Sequence, residues 1–226
     1  MMSALVRLPL ARVASARLRW LGVLPWALLA ILSAVVLRAR GGTSNVDAAL
    51  LRSFGPIALP LLAYAASGLV LPSGSLAASA APLVFLGAAP RRAALAIAAT
   101  GSLVAGLLGG LLAAIVVVLA HGSADPPLLG DALRSFGVGA LGGAAYGAYF
   151  SFGATFLRGQ GRSVLLVLDL ILGGYGAGAL FSPRGHVRAL LGGSLAAELT
   201  PRTSSVILIA MGLFFLGLAS LRSSRE

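Results

Sequence analysis

The sequence contains no cysteine and no lysine, and only 10% of its 226 residues are charged. Without cysteine, the chain has no thiolate nucleophile, no disulfide and no thiolate ligand for an iron–sulfur cluster. Without lysine, it has neither a phosphate-binding loop of the Gly-Lys-Ser/Thr type nor a Schiff-base lysine for retinal or pyridoxal phosphate. We therefore expect a chain that is not an enzyme, with no catalytic residues, no metal and no cofactor of its own.

Acidic residues and histidines are also scarce, at six and two. His121 and His186 stand far apart in the sequence without an acid at ligand spacing, which argues against a metal site. Five of the acids fall in predicted loops or at the C-terminus: Asp47, Asp125, Asp131, Glu198 and Glu226. Asp169 instead lies inside an apolar segment, where a charge at the bilayer centre costs at least ~2.5 kcal/mol. We expect it to face the protein interior, and a structural hydrogen bond to Ser or Tyr of another helix is favoured over a transport role.

Apolar residues make up 58% of the chain, and the mean hydropathy is +0.98. Soluble domains carry roughly 25% charged residues, so a soluble fold of this composition lacks the polar groups to cover its surface. All 17 basic residues are arginine, and the dominance of Ala, Gly, Leu and Arg is typical of a GC-rich bacterial genome. The arginines sit mostly at the ends of apolar runs, where they anchor helices to lipid headgroups rather than bind nucleic acid.

A single all-α transmembrane domain over residues 1–226 is predicted from six apolar segments of membrane-spanning length. The predicted spans are 20–37, 54–71, 93–120, 136–157, 163–181 and 204–221. Residues 1–19 carry four arginines and are predicted to form an interfacial helix rather than a cleaved signal peptide. Residues 182–203 hold an apolar stretch too short to span, which predicts a pair of short re-entrant or interfacial helices between spans five and six.

The distribution of arginine predicts the orientation in a bacterial cytoplasmic (inner) membrane. Six spans put both termini on one side, and if that side is the cytoplasm, ten arginines lie inside and seven outside. Positive residues favour the cytoplasmic side, and the four arginines before the first span weigh most. We therefore expect both termini in the cytoplasm.

Glycine is abundant, with 30 residues, and recurs at four-residue spacing in the apolar segments. Small residues at this spacing let two helix backbones approach closely in a membrane. The pairs that fit this pattern are Gly106/Gly110, Gly139/Gly143, Gly143/Gly147 and Gly174/Gly178.

Three short motifs stand between the predicted spans. Residues 86–92 read LGAAPRR before the third span, residues 156–162 read FLRGQGR before the fifth, and residues 199–201 read LTP before the sixth. Together with the amphiphilic N-terminus, the six spans and the short helices before the sixth, they resemble the membrane permease subunit of a type 2 ATP-binding-cassette exporter. The resemblance implies a homodimer or heterodimer of permeases that works with a separate ATP-binding subunit.

The same resemblance implies a cytoplasmic coupling segment between spans two and three. Gly87 and Pro90 break any helix there, because proline lacks an N–H and clashes with the preceding turn. In one interpretation, Arg91 and Arg92 only anchor the start of the third span at the headgroups. In the other, residues 76–90 form a short helix that docks on the ATPase, with Leu83 and Phe85 at the contact and Pro90, Arg91 and Arg92 fixing its end.

Two other function classes remain open from the sequence. A small secondary transporter or channel subunit requires polar residues at mid-membrane for ion coupling, and Asp169 alone offers limited support. A membrane scaffold that transports nothing is consistent with the scarcity of polar constellations. The apolar composition of the spans favours a lipid-like or amphiphilic substrate over an ion.

Overall fold

The structure, a computed structural model, describes residues 2–40, 45–122, 125–174, 176–193 and 199–223 and is all-α, as predicted. Its α-helices in chain order are α1 (Met2–Ser15), α2 (Arg17–Trp20), α3 (Leu24–Ala39), α4 (Asn45–Ala49), α5 (Leu59–Val70), α6 (Leu76–Phe85), α7 (Pro90–Ala120), α8 (Leu128–Gly153), α9 (Gly161–Leu172), α10 (Pro183–Leu190) and α11 (Pro201–Arg222). A π-helical segment, Leu50–Ala58, joins α4 to α5 without a break, and 3₁₀ turns occupy Leu157–Gly159 and Ala177–Phe181.

Four helical stretches are long and apolar enough to cross a membrane, which indicates a multi-pass membrane protein. They are Arg17–Ala39, Asn45–Val70, Pro90–Ala120 and Pro201–Arg222. These stretches contain nearly all of the predicted first, second, third and sixth spans. The second begins well before residue 54, because much of the predicted loop 38–53 is already helical from Asn45 onward.

The remaining two predicted spans have different outcomes. The segment 136–157 corresponds to α8, whose 26 residues extend over about 39 Å but are rich in glycine and serine. The segment 163–181 is not one helix: α9 ends at Leu172 after 12 residues, or about 18 Å, well short of the ~30 Å hydrocarbon core. The chain bends at Gly173 and Gly174, and Gly176 has a φ of +70°, a conformation that side chains disfavour. The six-span topology therefore stays a prediction.

The centre of the fold is the antiparallel pair α7 and α8, whose backbones touch through glycines. A Cβ atom at Gly106 would lie 2.9 Å from the carbonyl oxygen of Ala140, and one at Gly109 would lie 2.6 Å from that of Gly139. Of the four predicted glycine pairs, three lie at this contact: Gly106/Gly110, Gly139/Gly143 and Gly143/Gly147. The fourth pair, Gly174/Gly178, falls in the bend and 3₁₀ turn after α9, outside any helix pair.

The other long helices surround this central pair. α5 packs against both α7 and α8, α11 packs mainly against α8, and α3 lies along α7. In the most apolar parts of Arg17–Ala39 and Pro201–Arg222, which contain α3 and α11, only 17% of the residues are buried. The corresponding share is 56% for α7 and 61% for Asn45–Val70. The two outer helices therefore turn most of their apolar side chains away from the protein, as expected for helices that face lipid.

Proline in the first turn marks the start of several helices, because the missing N–H is not needed there. α3, α7, α10 and α11 all begin in this way, and Pro201 of α11 belongs to the LTP motif noted in the sequence. The preceding residue, Thr200, caps α11 by accepting a hydrogen bond from the backbone N–H of Thr203 at 3.2 Å.

Replacement of Gly143 by leucine is expected to destabilise the protein, because a side chain there meets the backbone carbonyl of Ala105 on α7. Overpacking of this kind costs typically 1–3 kcal/mol, so thermal unfolding in detergent micelles should occur at a clearly lower temperature. Gly137→Leu, on the same helix, is the matched control, since a Cβ at Gly137 meets no described atom within 4 Å. Equal unfolding temperatures for the two variants would contradict the close contact of α7 and α8.

Single cysteines test the predicted orientation, since the natural chain has none to interfere. Leu129, at the start of α8, is 74% exposed, and Ala89, just before α7, is also exposed. With both termini in the cytoplasm, Leu129→Cys should react with an impermeant thiol reagent added to intact cells, whereas Ala89→Cys should react only after the membrane is opened. The reverse pattern would invert the topology.

Candidate functional site

The segment between the second and third predicted spans forms the short helix α6, which ends at Phe85. Its last turn closes through hydrogen bonds from the N–H of Gly87 to Val84 (2.8 Å) and from that of Ala88 to Leu83 (3.0 Å). Gly87 has a φ of +87°, which glycine adopts at little cost, and Pro90 then starts α7. The break expected at Gly87 and Pro90 is thus where α6 gives way to α7.

Two polar contacts fasten α6 to the rest of the protein. At its N-terminus, the backbone N–H of Leu76 donates to the carbonyl oxygen of Ala154, just beyond α8, at 3.1 Å. In its middle, the guanidinium of Arg12 on α1 donates to the carbonyl oxygen of Ser79 at 2.6 Å. The N-terminal helix that the sequence predicts therefore packs on α6, and α6 is held between α1 and the end of α8.

The connection from α8 to α9 also contacts the start of α6, through an unusual backbone conformation. Leu157, Arg158 and Gly159 have φ values of +51°, +53° and +90°, and the first two are uncommon for residues with a side chain. A Cβ atom at Gly159 would come within 2.5 Å of the carbonyl carbon of Gly74, so only glycine permits this approach. The FLRGQGR motif thus forms a tight turn against the loop that leads into α6.

The five residues predicted at the coupling surface do not share one environment. Phe85 is 89% exposed, and Pro90, Arg91 and Arg92 are exposed as well, whereas Leu83 is 1% exposed and belongs to the core. Leu83 therefore holds α6 in place instead of forming part of its outer surface. The exposed apolar end of the helix, Val84, Phe85 and Leu86, is called the α6 tip below.

Asp169 lies in the protein interior, with 2% of its surface exposed, and both of its carboxylate oxygens are hydrogen-bonded. Tyr146 on α8 donates its hydroxyl to Oδ2 at 2.9 Å, and Ser182 donates to Oδ1. The interior contact with Ser and Tyr that the sequence analysis favours is therefore present in the structure. Because Ser182 also accepts from the backbone N–H of Arg184 at 3.1 Å, it caps α10. One carboxylate thus joins α8, α9 and the start of α10.

Arg162 is a buried cation, although its position beside an apolar segment is that of the arginines expected to anchor helices at the headgroups. It is 7% exposed, donates to the carbonyl oxygen of Tyr64 at 3.2 Å, and its guanidinium carbon lies 4.8 Å from the centre of the Tyr64 ring. The hydroxyls of Tyr64 and Ser163 are 2.7 Å apart. These contacts join α5 to α9, and the glycine at position 161, which packs on α8, is the sequence signal that the chain is buried at this point.

The remaining acids and histidines form no metal site in the part of the chain that the structure describes, where no group of three or more His, Cys, Asp or Glu side chains comes together. His186 is buried, and its Nε2 lies 2.9 Å from the carbonyl oxygen of Leu180. Asp47 and Asp131 line one small cavity, and burial raises the pKa of Asp131, with further contributions from Asp47 and Asp125. Glu198 and Glu226 lie outside the described residues.

Asp169→Leu should lower the unfolding temperature measured in detergent micelles, because it leaves the hydroxyls of Tyr146 and Ser182 buried without their acceptor. An unsatisfied buried polar group costs about 1–3 kcal/mol. Asp169→Asn keeps one acceptor oxygen and should be milder. Combining Asp169→Leu with Tyr146→Phe should cost less than the sum of the two single changes, since both remove the same bond. An unchanged unfolding temperature for Asp169→Leu would show that the network contributes nothing to stability.

Comparison of the chain with protein-family models, with curated proteins and with solved structures finds no match.

Proposed function

We propose that the chain is the membrane-spanning permease subunit of an ATP-binding-cassette exporter in the bacterial inner membrane. A separate subunit binds and hydrolyses ATP, and a second permease subunit, identical or related, completes the pathway. The cargo is of a lipid-like or amphiphilic class, in keeping with the apolar character of the helices.

The observation that carries this proposal is the α6 tip. The three consecutive residues Val84, Phe85 and Leu86 are 37%, 89% and 61% exposed, at the end of a helix whose opposite side is buried. Arg91 and Arg92 lie exposed beside it, at the start of α7. An aromatic anchor with neighbouring arginines has the composition of an interface hot spot, and contiguous exposed apolar residues mark places where a partner binds.

The contacts of α6 with the rest of the protein can transmit movement of an ATPase to the membrane helices. α6 is bonded to the end of α8 through Leu76 and Ala154, and α8 contacts α7 backbone to backbone. Because packed helices move as rigid bodies, displacement of α6 shifts this pair as a unit rather than deforming α6 alone. In the proposed mechanism, closure of the ATP-bound subunits moves this unit and changes the side to which the permease dimer opens.

The geometry of Asp169 favours this proposal over an ion-coupled transporter. An ion-coupling carboxylate must exchange its partners during transport, and it sits in a wet cavity or a pathway. Both oxygens of Asp169 are instead engaged by neighbouring hydroxyl groups, and only 2% of its surface is exposed. The carboxylate therefore has the surroundings of a structural group.

The test is co-purification of the permease with an ATP-binding protein that lacks membrane spans and is encoded beside its gene. Phe85→Glu should weaken this association about thirtyfold or more, because a central aromatic anchor is worth about 2 kcal/mol or more. It should also uncouple ATP hydrolysis from transport while leaving the permease inserted in the membrane. Leu83 does not serve for this purpose, since a charge at a buried position unfolds α6.

Phe181→Glu is the matched control, because Phe181 is 80% exposed and lies in the 3₁₀ turn before α10, away from α6. It introduces the same charge and should leave the association intact. Failure of the wild-type permease to bind the ATPase, or normal coupling in Phe85→Glu, would overturn the proposal and leave α6 as a membrane-surface helix with arginine anchors.

A further inference from the structure

Three arginines line one cleft of about 520 Å³ where the chain turns from α1 into α2, and residues 12–20 are called the α1–α2 corner below. Arg12 comes from the last turn of α1, whereas Arg17 and Arg19 belong to α2. None of the described residues that line the cleft is acidic. Like charges around one space repel each other, and an anion bound between them removes that repulsion. The volume is within the ~300–1,000 Å³ typical of ligand sites.

Hydrogen bonds within the protein fix the backbone of the corner. The backbone N–H of Arg19 donates to the carbonyl oxygen of Ala16 at 2.9 Å, and the indole Nε1 of Trp20 donates to that of Val13 at 3.1 Å. Tryptophan is enriched where a membrane meets water, since its ring is apolar and its N–H is polar. The corner therefore folds without a ligand, and it presents its arginines from fixed backbone positions.

Arg12 connects the cleft to α6. Its guanidinium donates to the carbonyl oxygen of Ser79 at 2.6 Å, the one side-chain hydrogen bond that it makes with the residues that the structure describes. Burial lowers the pKa of Arg12 from its ordinary value, and the positive charge of Arg19 lowers it further, so the two cations are close enough to repel each other. A guanidinium has five N–H donors in a fixed fork, so a bond to one carbonyl orients the group and leaves other donors for a ligand.

Arg17 and Arg19 have a different setting from Arg12. Both are exposed, and their guanidinium groups make no hydrogen bond or ion pair with any residue that the structure describes. Between them stands Leu18, which is 82% exposed. A large apolar side chain flanked by arginines is typical of segments at the boundary between lipid headgroups and acyl chains, where the leucine enters the apolar layer and the arginines stay at the phosphates.

The corner lies where a headgroup region is expected. Arg17 begins the apolar stretch Arg17–Ala39, whose 23 residues extend over about 35 Å at the helical rise. Because this length exceeds the ~30 Å hydrocarbon core, the first turn of the stretch reaches the headgroups. On α1, Val6 and Leu10 stand one turn apart on one face and are 57% and 44% exposed. The helix before the corner therefore also offers apolar side chains to a lipid surface.

We propose that the α1–α2 corner binds the phosphate group of an anionic phospholipid, with Arg12, Arg17 and Arg19 around the phosphate and Leu18 among the acyl chains. Guanidinium groups match phosphate geometry through paired N–H donors. A lipid is favoured over a free phosphate ion, because free phosphate leaves Leu18 exposed to water. Since Arg12 also holds the carbonyl of Ser79, the bound headgroup stabilises the position of α6 through a shared side chain. The site does not depend on the proposed transport function.

The experiment measures phosphatidylglycerol bound to the purified full chain in micelles of a neutral detergent, by native mass spectrometry. The wild-type protein should retain phosphatidylglycerol in preference to phosphatidylcholine, whose choline group carries a positive charge that the arginines repel. Arg19→Gln should bind phosphatidylglycerol about tenfold more weakly, as expected for the loss of one charge-assisted hydrogen bond. Because Arg19 is exposed, the variant should unfold at the wild-type temperature when no lipid is present.

Arg7→Gln is the matched control, because Arg7 is an exposed arginine of α1 that does not line the cleft. It removes the same charge and should change binding of phosphatidylglycerol by less than about twofold, as for a surface charge. Equal weakening by Arg7→Gln and Arg19→Gln would reduce the corner to unspecific surface attraction and overturn the proposal.

Inorganic phosphate and Leu18→Asn identify the source of the phosphate group. If the corner holds a lipid, Leu18→Asn should weaken binding of phosphatidylglycerol, and inorganic phosphate should compete only weakly. Displacement of the lipid by inorganic phosphate, with normal lipid binding in Leu18→Asn, would reject the lipid and leave a free-phosphate site.

Amide hydrogen exchange in α6 tests the connection through Arg12. Phosphatidylglycerol should slow exchange over residues 76–85 in the wild-type protein and have no such effect in Arg19→Gln, because only the wild-type protein holds the headgroup beside Arg12. Unchanged exchange in lipid-bound wild-type protein would contradict the stabilisation of α6 by the headgroup.

Discussion

The direct backbone contact between α7 and α8 is the constraint on which the other helices depend. In a membrane, lipid tails are as apolar as leucine, so helices gain little from burying apolar area and associate instead through close packing. Glycines at positions 106, 109, 139 and 143 remove the side chains that would hold the two backbones apart. The resulting pair is a thin, rigid centre, and α5, α11 and α3 pack on its sides. Bulkier residues at the contact would separate the pair and displace every helix that packs on it.

Two buried polar groups determine how the short helix α9 packs on the α7–α8 pair, which the glycine contacts leave undetermined. Near one end of α9, Arg162 bonds to the carbonyl of Tyr64 and lies over its ring; toward the other end, Asp169 binds Tyr146 and Ser182. With only 12 residues, α9 offers little apolar contact of its own, so directional bonds decide its position. Asp169 acts further through Ser182, because the same hydroxyl caps α10 and thereby sets where Arg184 and Arg188 point.

The sequence predicts those parts of the fold that follow from the length of an apolar segment. It fails where a segment of sufficient length does not form one continuous helix. Four of the predicted spans coincide with long apolar helices because nothing in those segments interrupts the helix strongly. The segment 163–181 has enough apolar residues for a span, but its glycines allow the chain to bend at 173–174, and composition alone cannot distinguish a bent segment from a straight one.

The burial of single residues is equally hard to predict from composition. Phe85 and Leu83 are two positions apart and equally apolar, and only the packing of α6 shows that one is exposed and the other buried. Arg162 likewise stands beside an apolar segment, as a headgroup anchor does, but is buried against α5.

One continuous helical stretch, Asn45–Val70, leads directly into α6, whose tip we assign a binding role. Its first half lies beside α10, and its last residue leads through a short turn into α6. With 61% of its most apolar part buried, it is the most enclosed of the four membrane-length stretches, so it moves with the centre of the fold rather than independently.

The π-helical segment Leu50–Ala58 departs from regular α-helical geometry, and its wider turn allows small changes of register that an α-helix resists. If α6 is displaced by a partner, the movement enters this helix at Leu71, and the irregular turn near Arg52 is the place where it can be absorbed.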